Sequence, residues 1–369
     1  VISVNEWLQD EAIRKAVNFD HYSNNVVNRM LAIVNKMDAR LFAELTLALE
    51  RMDATSFTVQ RLESLLSSVR AINADAFNQM GEAFRGELKD FAQYEASYHA
   101  QLLIGVMPVT VHVATVDIGQ IYTAALSRPF QGMLLKDALK DIELGKAKKI
   151  REAIALGFAE NKSTSQIIRE IRGTRARGYA DGLMTASRAN IATITRTALS
   201  HMAGFVQDRT TEANASLIKA VVWSSTLDLR TSSPCRLRDG LQYHPVTHKP
   251  IGHSLPWGQG PGRYHWQCRS AQVYALKSNK ELGIPFPDFT MPDGTRASMD
   301  GQIPKGVKYG DWLAKQSAAR QDEVLGPTRG KLMRDGKLPM AAMSDQRGRF
   351  LTLEQLRDRD AGAFKRAGL

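Results

Sequence analysis

The first 107 residues contain no proline, and apolar side chains recur through them at three- and four-residue steps. Val26, Met30, Ile33, Val34, Met37, Leu41, Leu45 and Leu49 form one such stripe. Leu62, Leu65, Leu66 and Val69 open a second, which Phe77, Met80, Phe84, Leu88, Phe91 and Tyr94 continue. A proline inside a helix removes a backbone bond and clashes with the preceding turn, so its absence leaves long helices open. The helical period of the apolar positions then selects helices over strands. Abundant Ala, Leu, Glu, Gln and Arg favour the same choice locally. The expectation is a helical bundle or hairpin over residues 1–124, broken at Asp53 or Thr55. Its Met- and aromatic-lined faces read as core rather than as a cofactor pocket.

Beyond Pro108 the pattern changes. Val109–Val116 is β-branched and nearly alternating, which favours a short strand containing His112. Pro129, Phe130 and Gly132 mark a turn before a helix over Met133–Phe158, which carries a basic patch of Lys146, Lys148, Lys149 and Arg151. Ser163 with Gln166 three residues on is the signature of a capping box opening a helix to Arg172. Gly173, Gly178 and Gly182 interrupt the chain before a further helix over Ser187–Thr211. Leu217–Ser224 and Ser270–Ala275 read as strands. Past Ile284 the chain continues basic, with helices expected over Tyr309–Ala319 and Leu353–Arg359. The fold class is therefore mainly α. A long-helix N-terminal part (1–124) precedes a small α+β domain with a long loop-rich cap (125–283), and a short basic extension follows (284–369).

Charge divides the chain unevenly. Residues 1–150 carry 16 Lys and Arg against 18 Asp and Glu, whereas the remainder carries 33 against 20, within a total of +11. A basic half points to a polyanionic neighbour, of which nucleic acid is the common one. Arg188, Arg196, Arg236, Arg238 and Arg269 are the candidate phosphate contacts. Double-stranded DNA, contacted without sequence preference, is the partner they would suit. No apolar run reaches the roughly 18 residues of a membrane-spanning helix, so no membrane partner is expected. Val1–Asp10 is polar and mixed, without the basic start and apolar stretch of a secretory signal.

Both cysteines of the chain, Cys235 and Cys268, lie in one segment, Trp223–Arg269. Residues 224–268 also hold five Gly, five Pro and four of the eight His. A loop of this length is uncommon unless it is functional or clamped by something other than a regular core. The H-x-x-C of His265 and Cys268 places two metal-ligand types within one turn, with Cys235 as a third donor 30 residues upstream. Zinc is the cofactor such donors allow, with a fourth ligand sought among Asp228, Asp239, His244 and His253. Two alternatives stand beside it: packed structural thiols, and a disulfide. Asp228, Arg230 and Asp239 are candidates for pinning the loop by ion pairs and hydrogen bonds. The same aspartates suit an acid–base pair, but no nucleophile-and-base arrangement accompanies them. Gly260–Arg263 is a turn and not a phosphate-binding loop, because no G-x-x-x-x-G-K-[ST] follows.

Taken together, these motifs resemble a known family. The series R-T-A-L-S-H (196–201), W-S-S-T-L-D-L-R-T-S-S-P-C-R-L-R-D-G (223–240) and H-W-Q-C-R-S (265–270) is similar to the tailed-phage minor head proteins. That family is also called phage head morphogenesis, or phage Mu F-like. P-F-Q-G (129–132) and T-S-Q-I-I-R-E-I-R-G (164–173) fit the same pattern, so the resemblance spans about residues 125–275. It implies a virion structural protein present in few copies inside the head near the portal vertex, assembled in the host cytoplasm. Its partners would be the portal or major capsid protein and packaged DNA, its role head assembly, DNA packaging or delivery, and it would not be an enzyme. Some members carry a second cysteine where this chain has Ser232, so half of a paired-cysteine metal site is replaced here, which favours a hydrogen-bonded or thiol-packed loop without a cofactor and leaves zinc as the alternative. The alternative reading is a metal-dependent hydrolase or toxin-like effector using the Cys235/His265/Cys268 loop.

Overall fold

The structure, a computed structural model, describes the chain except residues 1, 52–58, 108–110, 289, 292–294 and 305, and except the side chains of 2, 59, 61, 65, 290 and 291. It is 62% helical. The helices are α1 (Val4–Glu50), α2 (Val59–Val106), α3 (Ile118–Leu126), α4 (Leu135–Ala159), α5 (Thr164–Arg172), α6 (Met184–Ala213), α7 (Ser233–Arg238), α8 (Tyr309–Ala314), α9 (Ala318–Leu325), α10 (Pro327–Arg334), α11 (Leu353–Arg359) and α12 (Ala361–Ala367). The strands are β1 (Ile2–Ser3), β2 (Ile218–Ser224), β3 (Gln242–Tyr243), β4 (Pro250–Ile251), β5 (Ala271–Leu276), β6 (Thr290–Met291), β7 (Thr295–Ser298) and β8 (Gly301–Pro304). No described helix is long and apolar enough to cross a membrane.

The chain forms two compact units that cut across the three consecutive segments expected from the sequence. A helical unit comprises Asp20–Glu95 and Asp117–Ala203. A sheet unit comprises Val1–Phe19, Ala96–Val116 and Gly204–Leu369. Three long helices, α1, α2 and α6, contribute residues to both.

In the helical unit the apolar stripes do what their spacing requires. Met37, Leu41, Phe42, Leu45 and Leu49 of α1 meet Leu62, Leu66, Val69, Ile72 and Ala76 of α2. Ile150 and Ile154 of α4, Ile167 and Ile171 of α5, and Met184 close the same core. Tyr94 departs from the pattern and is exposed. The capping box forms as read: Ser163 accepts from the Gln166 N–H, and the Gln166 side chain accepts from the Ser163 N–H. At 129–132, Phe130 and Met133 exchange two backbone bonds around Gln131 and Gly132, both at positive φ, so α4 starts only at Leu135.

Lys146 does not belong to the surface patch. It is buried and paired with Asp38. Its spacing from Leu139, Ile142, Ile150 and Ile154 places it on the buried face of α4.

The sheet unit is built on an antiparallel sheet of order β4-β3-β2-β5. β2 is the central strand, and its burial on both faces matches its β-branched and aromatic run. Behind it, Leu8, Leu103, Val106, Val113, Leu217, Ile218, Val273, Tyr274 and Leu276 form one core. The strand expected over Val109–Val116 is absent from residues 111–116, and 109 and 110 lie outside the described residues. The Asn214 side chain acts there in place of a neighbouring strand, accepting from the Ala114 N–H at 2.8 Å and donating to its carbonyl at 3.0 Å. His112 is exposed.

The part after Ile284 is more than an appended tail. Tyr309, Trp312, Leu313, Leu325, Leu332, Met343, Leu356 and Phe364 form a core that includes Leu227 and Leu237 of the loop-rich segment. The helix expected over Tyr309–Ala319 is two helices, because Ser317 caps α9 through the Arg320 N–H.

Candidate metal centre and its polar lock

The candidate centre joins two short local structures. The first is α7, which Ser232 precedes in an extended conformation and which Pro234 opens, a position where its missing N–H costs nothing. Ser232 occupies the capping position without capping. Its Oγ lies 2.7 Å from His265 Nε2 instead. The second is the His265–Cys268 turn, closed by the Cys268 N–H on the His265 carbonyl at 3.2 Å, with Gln267 at positive φ.

These two turns bring the three sequence-predicted donors together. Cys235 Sγ stands 3.3 Å from His265 Nε2 and 3.7 Å from Cys268 Sγ, and the ligand atoms of all three lie within 4.8 Å of one another. Both cysteines are buried free thiols, so the disulfide alternative is not what forms. His265 Nδ1 lies 2.9 Å from the Trp266 carbonyl, leaving Nε2 turned toward the sulfurs.

The two thiols are shifted in opposite directions. The hydrogen bond to Cys268, reinforced by burial, pushes Cys235 up. The same bond, with His265 beside it, pulls Cys268 well down against the effect of burial. The bond to Cys268 also raises His265 above the ordinary histidine range. Two sulfurs and an imidazole nitrogen whose ligand atoms all lie within 4.8 Å of one another are donors that zinc takes, so the residues present fit such an ion.

Around this cluster, two aspartates tie the loop. Asp228 receives both terminal nitrogens of Arg269, at 2.5 and 2.9 Å, and the hydroxyl of Thr231 at 3.0 Å. Burial works against its charge, but Arg269 and Thr231 hold the carboxyl below its ordinary value. Arg230 is exposed. It contributes its backbone N–H to Asp228 at 3.0 Å and its charge nearby.

Asp239 is 4% exposed and accepts four bonds: from Ser225 N–H at 2.7 Å, Tyr309 N–H at 2.7 Å, and Arg296 at 2.6 and 2.9 Å. Arg296, also buried, further donates to the Ser225 and Val307 carbonyls. Gly240 follows at φ +76 and donates to the Trp223 carbonyl at 2.7 Å, a backbone shape that glycine alone adopts cheaply.

The five arginines expected to meet DNA are bonded inward. Arg238 is fully buried between the Tyr264 and Trp223 rings, and donates to the Pro234 and Pro256 carbonyls. Arg236 donates to the Leu229 and Val324 carbonyls and lies over the Tyr309 ring. Arg269 is held by Asp228 as above. In the helical unit, Arg196 donates twice to Asn24, and Arg188 lies 3.6 Å from Asp38. Arginine ordinarily buries its stem and keeps its head in water, so the sequence shows no sign of these inward bonds.

Arg296, Ser225 and Tyr309 are the site residues that sequence reasoning missed. Arg296 sits in a four-residue strand some 57 positions from Asp239, with no local pattern to mark it. The proposed fourth metal donors are placed elsewhere: Asp228 and Asp239 are taken up as described, His244 Nδ1 accepts from the Val246 and Thr247 N–H groups, and His253 Nδ1 accepts from Leu255. Compared with family models, curated proteins and solved structures, the chain has no significant match.

Proposed function

We propose that this chain is a structural component of a tailed-phage head, a minor head protein. It would be assembled in the host cytoplasm and lie inside the head near the portal vertex, with the portal or major capsid protein as its protein neighbour and packaged DNA as the other. The observation that carries this reading is how the motif residues are used. Among the residues of the minor head pattern, Asp228 and Arg269 pair with each other, the Ser225 N–H donates to Asp239, and Cys235, His265 and Cys268 gather in one cluster. Both aspartates are saturated by internal donors, which leaves neither as a general base. A motif spent on cross-linking its own loop supports a scaffold more than a catalyst.

Within that scaffold, Cys235, His265 and Cys268 would hold a zinc ion, with the Ser232 hydroxyl beside them. Bound there, zinc would supply a cross-link between α7 and the His265–Cys268 turn. The chain's own residues keep the two turns apposed through the Ser225 hydroxyl, which donates to the Cys235 carbonyl at 2.8 Å and meets Ser270 at 3.3 Å.

Virions provide the test. Immunogold labelling and an asymmetric reconstruction of the portal vertex should place the chain inside the head; its absence from purified particles would sink the reading. The hydrolase alternative is separated by chelation. If it held, removing the metal would abolish a hydrolytic activity, whereas the structural reading expects only a lowered melting temperature.

A further inference from the structure

We propose that the last turn of α5 and the basic loop after it, residues 169–182, are where this chain grips the phosphate backbone of double-stranded DNA. Only the choice of duplex DNA as the polyanion rests on the head-protein reading. Arg169, Arg172, Arg175 and Arg177 are all exposed. Residues 162–181 hold five cations against two carboxylates. Both carboxylates are engaged by other groups. Glu170 is bound by Lys162 at 2.6 Å, and Asp181 accepts the Thr174 N–H and hydroxyl, each at 2.8 Å. This is the reverse of the five arginines above, which are bonded inward.

The turn is built to hold its shape. Gly173 and Gly182 press their backbones together: a Cβ on Gly182 would stand 2.4 Å from the Arg172 carbonyl carbon, and one on Gly173 would stand 2.7 Å from the Gly182 nitrogen. Tyr179 adopts φ +64, a region that bulky residues rarely occupy, and its carbonyl accepts from the Thr185 hydroxyl at 3.1 Å. The Arg172 guanidinium lies 4.9 Å from the Tyr179 ring centroid, which braces it in place. Arg169 and Arg172 also sit in the last turn of α5, where cations complement the helix dipole. Arg175 and Arg177 lie in a single 3-10 turn, with Arg177 near the Asp181 carboxylate. A rigid turn that presents planar guanidinium forks outward matches phosphate oxygens, and it reads charge without reading bases.

The test is fluorescence anisotropy of the whole chain with a duplex of about 30 bp, titrated between about 50 and 200 mM salt. Replacing all four arginines (R169Q/R172Q/R175Q/R177Q) should weaken binding at least about tenfold and flatten the salt slope by about 3 to 4. The milder R175Q/R177Q, which leaves the Tyr179 brace intact, should flatten it by about 2. Circular dichroism checks that both variants fold. K148Q/K149Q, on the exposed face of α4, should bind as the parent does. An unchanged slope in a folded variant would overturn the proposal. So would equal loss in the α4 control, no binding by the parent, or equally effective competition by polyglutamate. Binding that maps to this turn in a chain missing from virions would leave the proposal standing and remove the head-protein reading instead.

Discussion

Two buried ion pairs, one in each unit, are solvated by the protein to different degrees. In the sheet unit, Asp239 has four donors around its two oxygens, and Arg296 spends its terminal nitrogens on that carboxylate and two carbonyls. In the helical unit, Asp38 is paired with Lys146 through one oxygen. The other oxygen has no hydrogen-bond partner among the described residues, and Arg188 stands 3.6 Å away. Burial lowers the Lys146 ammonium below its ordinary range, against the pull of Asp38. Charges taken out of water are repaid only when their remaining hydrogen bonds are made inside. The first pair comes closer to that condition, with both Asp239 oxygens bonded and Arg296 Nε left without a hydrogen-bond partner among the described residues, and it organises a region with little regular structure. The second sits among helices whose apolar faces already specify their packing.

The largest expected effect sharpens that contrast. Arg296→Ala should cost about 3–5 kcal/mol, because it strands a buried Asp239 carboxylate. Thermal unfolding followed by tryptophan fluorescence would register it, since Trp223 and Trp257 pack together in the same unit. A loss below about 1 kcal/mol would mean that the four-donor arrangement does not hold the region. Ser163→Ala, which removes the capping box of α5, should cost about 1 kcal/mol in the helical unit. Helicity and melting temperature measured together would separate this from a core effect.

Removing the second pair altogether, as Asp38→Leu with Lys146→Met, should change stability by no more than about 1 kcal/mol, or raise it. Denaturant unfolding checks this. A loss comparable to that of Arg296→Ala would erase the distinction between the regions.

The smallest effect concerns pH. His248 is stacked on Trp257 near Asp208 and Arg263, and burial lowers its pKa. The unfolded chain therefore takes up a proton first as pH falls through about 6.5, so this contribution to stability is present above that value and declines below it. In His248→Gln the melting temperature should fall less between neutral and mildly acidic pH than in the parent. An identical decline would exclude His248 as a source.

Much of the helical unit is legible in the chain. The stripe from Val26 to Leu49 and the Ser163–Gln166 box are local patterns, and local patterns survive folding because their partners are neighbours in sequence. The convergence of Cys235, His265 and Cys268 was legible as ligand types at a suggestive spacing. Lys146 was misread as part of a surface patch because of its charge, although its place between Ile142 and Ile150 marks the buried face of α4. Arg238 and Arg296 were not legible. Nothing in their neighbours marks an arginine that a fold will enclose. Over residues 111–116 the expected strand is absent for a related reason: β-branched residues favour a ladder only where a partner edge is present.

By itself, the sequence determined where helices run, where the chain turns, and which residue types gather between Trp223 and Arg269. Propensity, periodicity and turn chemistry act over a few residues and need no distant partner. Only the tertiary structure decided that α1, α2 and α6 serve two units. It alone joined the part beyond Ile284 to the loop through Asp239 and Arg296, and turned most of the basic side chains around the motif inward. Those outcomes depend on which group lies nearest once water is excluded, and that is a property of the packed chain.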